Sequence, residues 1–265
     1  MAHEQLGGES RDQLPHGIAR IALAPNLDPA RVPFRPTVTI DRPLKLGELF
    51  AETVRLYGER LWSVVGIGIF LAGSLLAAHV IGHVAAFVVI VALAFTAAYA
   101  VSSRVAIGDP AAEAWAQVGI RIPVLLVLTL VVSVPFVLGR VDPLLLLFGV
   151  AWLAFVGLSI PVAMLERNPE QDTWYGRIGF ALGRATVLAR AEYLHVLGVM
   201  AAFVAVYLLL GPVLAILLTG FAENGSLAAS LIANAVLGPF FFLGLSLLYF
   251  EQKARALSSP PEPKN

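Results

Sequence analysis

Few residues in this chain have the type and spacing to do chemistry. His79 and His83 stand four apart, close enough to share a helical face as metal ligands. Gly82 lies between them as a turn signal, and no carboxylate is near. His195 stands at the edge of an apolar run, where an interfacial histidine is expected. Asn234 is the most polar residue deep in such a run, with Tyr207, Trp152, Ser133, Ser159 and Thr96 as milder company. Groups of this kind either hydrogen-bond to a neighbouring helix or contact a substrate. Gly211-Pro212 and Gly238-Pro239 fall in two successive runs. Proline lacks the amide hydrogen a helix needs, so these pairs are either packing kinks or breaks around a midplane site. Tyr207, Gly211, Pro212, Asn234, Gly238 and Pro239 are therefore the candidate cavity residues.

Other chemistry is absent from the pattern. Glu48, Glu52 and Glu59 line one helix side but are interleaved with Arg55, which reads as a solvated face rather than an acid/base or metal site. No GxSxG, HExxH, Walker loop or zinc spacing occurs. Without cysteine there is no thiol nucleophile, thiolate ligand or disulfide. No catalytic, metal-binding or cofactor-binding residue is assigned, and the chain is expected not to be an enzyme.

The elements that must position these residues follow from composition. Of 265 residues, 58% are hydrophobic and only 14% charged, with a mean hydropathy of +0.81. A soluble domain of this size cannot hide so much apolar surface, so a membrane is the expected medium. The 18 basic and 18 acidic residues cancel, leaving no net field to draw in nucleic acid.

Six apolar runs are long enough to cross about 30 Å of hydrocarbon at 1.5 Å per residue. They cover 61–80, 84–101, 122–138, 144–165, 194–219 and 227–250. The predicted class is all-α, a polytopic bundle of six transmembrane helices in three hairpins. An amphipathic interfacial helix precedes each hairpin. From Leu46 the positions Leu49, Phe50, Thr53, Val54 and Tyr57 recur at helical spacing. After Asp109-Pro110, read as N-cap and first helical residue, comes AAEAWAQVGIR. Over 173–190, Trp174, Ile178, Ala181, Leu182, Ala185 and Leu188 share one side, with Arg177 and Arg184 opposite. Residues 1–41 and 256–265 are proline-rich and read as disordered tails. The short IALA at Ile21 is too brief for a signal peptide. GRVDP and FAENGS make the outer turns, and ERNP exits to water.

Basic residues set the expected orientation. Leaving out four remote N-terminal arginines, thirteen Lys or Arg fall on the side of the termini and only Arg140 on the other. Both termini are thus expected in the cytoplasm. Trp62, Trp115, Trp174 and Tyr175 fall near that surface as an aromatic belt. Arg60, Arg121, Arg177 and Arg184 are candidate contacts to anionic headgroups. The expected partners are the bilayer, those headgroups and a membrane protein the sequence does not specify.

The order of amphipathic helix, charged collar and hairpin occurs three times, which suggests an internal repeat. A shift of 132 pairs Leu56 with Leu188, Val64 with Val196 and Gly66 with Gly198. A shift of 61 pairs Gly58 with Gly119 and Arg60 with Arg121. The opening RPLKLGELFAETVRLYGERLWSVVGI resembles a group of prokaryotic six-span membrane proteins of unknown function, related to the membrane domain of some glycerophosphodiester phosphodiesterases. The likeness resumes at Gly183 to Val199 and at LLYFEQKAR, with Glu251 where an aspartate is usual. It implies a six-span fold and a prokaryotic inner-membrane address, and it brings no reaction, the phosphodiesterase barrel being no part of these residues. Function narrows to class: a non-enzymatic membrane scaffold or accessory component in envelope or lipid processes. The alternative is a carrier or flippase-like transporter of a lipid or apolar substrate, with its site near the kinked fifth and sixth spans.

Overall fold

The computed structural model describes residues 40, 43–138, 145–166, 173–219 and 225–258. The expected tails beyond those limits, the GRVDP turn and most of ERNP and FAENGS lie outside them. Among the described residues every element is an α-helix and no strand occurs. The order is α1 (Leu46–Glu59), α2 (Leu61–Ile81), α3 (Val84–Ala106), α4 (Ala111–Ile120), α5 (Ile122–Leu138), α6 (Leu145–Val156), α7 (Ser159–Leu165), α8 (Trp174–Ala191), α9 (Tyr193–Thr219) and α10 (Gly225–Ser258).

Local chemistry explains the boundaries. At the head of α1 the Lys45 amide donates to Glu48 Oε2 at 2.9 Å, and Leu49, Thr53 and Leu56 form its buried stripe. Gly82 ends α2 at φ 68°, a left-handed turn that a side chain would strain, and α3 starts two residues on. Asp109 makes no capping bond to α4. It pairs instead with Arg104 at 2.5 Å, because the arginine ending α3 needs a counter-charge. Thr173 caps α8 by accepting from the Gly176 amide at 3.3 Å, and Ala181, Ala185, Leu188 and Ala189 form its buried face.

Two features of the spans depart from the sequence expectation. The fourth is broken at Gly157-Leu158 into α6 and α7. Pro161 has no amide hydrogen to return to the Gly157 carbonyl, and a Cβ on Gly157 would fall 2.5 Å from Leu153 O. The last helix runs on to Ser258, eight residues past the expected end of its span. Helix continues through Pro212 in α9 and through Pro239 in α10.

Five segments are long and apolar enough to cross a bilayer, namely α2, α3, α6 with α7, α9 and α10. The 17-residue α5 is shorter; counted as one span with α4, from which it is bent by 84°, it brings the number to six. Ile69, Leu130, Leu209 and Ile216 on these helices are each about two-thirds exposed or more. A water-soluble surface does not carry such patches, whereas hydrocarbon solvates them. The chain is an integral multi-pass membrane protein with five to six spans.

The center of the packing is α10. A Cβ on Gly68 would lie 1.9 Å from Ala235 O, and one on Gly244 would lie 2.2 Å from the Phe203 ring. Small residues thus let α2 and α9 close on α10, which is how helices pack where no water drives them together. Phe203 stacks on Phe50 of α1 with centroids 4.2 Å apart.

Candidate functional site

One end of the bundle gathers the charged collars. Arg121, between α4 and α5, donates from Nη1 to Ala163 O and Met164 O at 2.6 and 2.5 Å. Glu166, at the end of α7, accepts from Arg184 Nε of α8 at 3.3 Å and from Tyr249 Oη of α10 at 2.8 Å. Lys253 Nζ lies 3.4 Å from it. Two residues after Tyr249, the fully buried Glu251 accepts from Arg255 and from Gln252 Nε2 at 2.6 Å. Arg255 also reaches Glu192 at the head of α9 and donates to Leu44 O before α1 at 3.2 Å. His195 Nε2 stands 3.6 Å from Glu251. This clasp joins the approach to α1 with α7, α8, α9 and α10. The His195 expected as an interfacial residue belongs to it.

The candidate headgroup arginines are therefore differently placed. Arg121 and Arg184 engage other helices, Arg177 is exposed on α8, and Arg60 joins α1 to α2. Of the aromatic belt, Trp62, Trp174 and Tyr175 are exposed, whereas Trp115 packs edge-on against Phe70. On α1, Arg55 bridges Glu52 and Glu59, and its hydrogen bond holds the Glu52 carboxyl below the usual carboxylate range. No three His, Asp or Glu converge as a metal site among the described residues.

Deeper in the bundle, Tyr207 Oη donates to Asn234 Oδ1 at 2.7 Å, and Asn234 Nδ2 donates to Ser230 O at 2.8 Å. The pair locks α9 to α10. Gly238 faces Leu71 of α2, where a Cβ would meet Cδ1 at 2.6 Å, Pro239 is buried, and Pro212 is exposed. Of the six candidate cavity residues, only Tyr207 borders the main cavity.

That cavity has a volume of about 750 Å³ and lies between α3, α5, α6, α7, α9 and α10. Its wall is apolar, including Phe87, Val91, Phe95, Val204, Phe241 and Leu245. Along α3 it runs from Phe87 to Tyr99, about 18 Å by helical rise. Its polar lining residues are Thr96, Tyr99, Thr129, Ser133 and Tyr207. Thr129 and Ser133 hydroxyls donate to carbonyls of their own helix at 2.7 and 2.6 Å. A second groove of about 450 Å³ lies between α2, α3, α4 and α5 and is bordered by Phe70 and Trp115. Thr96 and Thr129 border both spaces.

Searches of protein-family models, curated proteins and solved structures find no match to this chain. The arrangement must be read from its own residues. The sequence had shown neither the clasp nor the cavity. The spacing of Glu251 and Arg255, one turn apart near the end of the last helix, was the available signal for the clasp. The cavity had no such signal, since its wall is drawn from six separate helices.

Proposed function

We propose that this protein is a non-enzymatic membrane component of envelope or lipid processes that takes an acyl chain of a bilayer lipid into the space between its spans. What carries this is the long, apolar cavity of about 750 Å³ inside a bundle whose outer surface is itself apolar. Pockets that bind small molecules are of this size and are mostly apolar, and the medium around these helices supplies chains of the matching chemistry. The groove across Thr96 and Thr129 offers such a chain a lateral approach from the bilayer. The collar end, with most of the basic residues, is assigned to the cytoplasm together with both termini.

The test is photo-crosslinking of the full chain in lipid nanodiscs with a phospholipid carrying a diazirine along its acyl chain. Adducts are expected on cavity-lining residues of α3 and α9, such as Val91 and Val204. Adducts confined to outward-facing residues such as Ile69 and Ile216 would overturn the proposal.

A further inference from the structure

We infer that the acyl chain enters the cavity tail first from the leaflet opposite the collars, an inference that rests on the cavity's holding such a chain. The cavity wall is a ring in which α3 packs on α5, α5 on α6, α6 on α9, α9 on α10 and α10 on α3. The two ends of that ring differ. At the end away from the collars, the lining residues Leu147 of α6 and Leu208 of α9 are 72% and 54% exposed. At the collar end, Tyr99, Leu153, Ile160, Phe242 and Leu245 line the cavity, and none is more than 5% exposed. Leu197, near the head of α9, is half-buried and packed against the same core. The space is a blind tube with its mouth in the far leaflet.

The break in the fourth span makes the closed end. Before Gly157-Leu158, α6 packs on α5, α8 and α9; after it, α7 packs on α3, α5, α8 and α10. The span thus passes from α9 toward α3 as it nears the collar, and Leu153 and Ile160 shut the tube there. The groove across Thr96 and Thr129 is a second way in, but both threonines are buried and Thr129 Oγ1 is held on Leu125 O at 2.7 Å, so a chain passes only if α3 and α5 part. Dimensions agree with a chain from one leaflet. From Phe87 to Tyr99 the tube runs about 18 Å by helical rise, close to half of a hydrocarbon core about 30 Å thick. No charged side chain lines the cavity among the described residues, so a phosphate drawn inside would lose its water and gain no partner. The headgroup therefore stays at the mouth, and the methyl end of the chain lies toward Leu153 and Phe242. With the termini assigned to the cytoplasm, the mouth faces the outer leaflet.

The experiment is photo-crosslinking of the full chain in nanodiscs with two phosphatidylglycerols, the adducts being mapped by peptide mass spectrometry. One lipid carries a diazirine beside the carbonyl of its acyl chain, and the other carries it near the terminal methyl. Moving the diazirine from carbonyl to methyl is expected to shift the adducts from Phe87, Leu147 and Leu208 at the mouth to Leu153, Ile160 and Phe242 at the closed end. Adducts of the carbonyl-side probe at the closed end overturn the direction of entry and leave the cavity proposal standing. Adducts of both probes confined to outward-facing residues such as Ile69 and Ile216 overturn the cavity proposal, and this inference with it.

Discussion

Arg255 closes on Glu251, one turn earlier on α10, and Glu251 is the one fully buried carboxylate among the described residues. Arg255 and Gln252 both hydrogen-bond to it, while the same guanidinium reaches across to Glu192 and Leu44.

Removing one partner leaves the other charge stranded. Arg255→Gln should therefore destabilise the bundle by about 3 kcal/mol, whereas the paired change Glu251→Gln with Arg255→Gln should cost less than half of that. Thermal unfolding in detergent, run as a double-mutant cycle, measures the difference. A paired loss equal to the sum of the two single losses would show that the two groups act independently.

Close packing at Gly68 gives a second prediction. Any Cβ there must displace the backbone at Ala235, so Gly68→Ala should lower stability by about 1–3 kcal/mol even though alanine favours helix. The same substitution at Gly66, where a Cβ meets nothing, should be neutral or slightly stabilising in the same melt. Similar outcomes at both sites would contradict the α2–α10 contact.

Tyr207 separates packing from ligand contact. Loss of its hydrogen bond in Tyr207→Phe should cost about 0.6 kcal/mol, the mean for interhelical hydrogen bonds in a bilayer. Lipid retention should stay unchanged, since the hydroxyl is already spent on Asn234. A clear loss of lipid retention would restore the pair as a substrate contact.

Orientation can be read directly because the chain has no cysteine. His83→Cys, at the far end, should react with a membrane-impermeant maleimide on intact cells. Ser258→Cys, at the collar end, should react only after permeabilisation. The reverse pattern would place the termini outside.

Much of the helical order was legible in the sequence, because it depends on local rules. The 20-residue apolar run from Leu61, the turn at Gly82 and the buried stripe of α8 each follow from spacing or from one residue's chemistry. The break in the fourth span was harder. The effect of Pro161 depends on Gly157, where Leu153 O leaves no room for a side chain. The clasp was not legible, since Arg255 meets Glu192 across 63 residues and Tyr249 meets Glu166 across 83.

Whether a lipid chain occupies the space between the spans is tested most directly by filling that space with protein. Ala92 and Ala205 both line it, and the pair Ala92→Phe with Ala205→Phe sets two aromatic rings at its wall. In native mass spectra of the full chain taken gently from its membrane, wild type should carry about one co-purifying phospholipid. The filled variant, with helicity and melting behaviour kept, should carry none. A lipid count unchanged by filling the cavity would contradict the account.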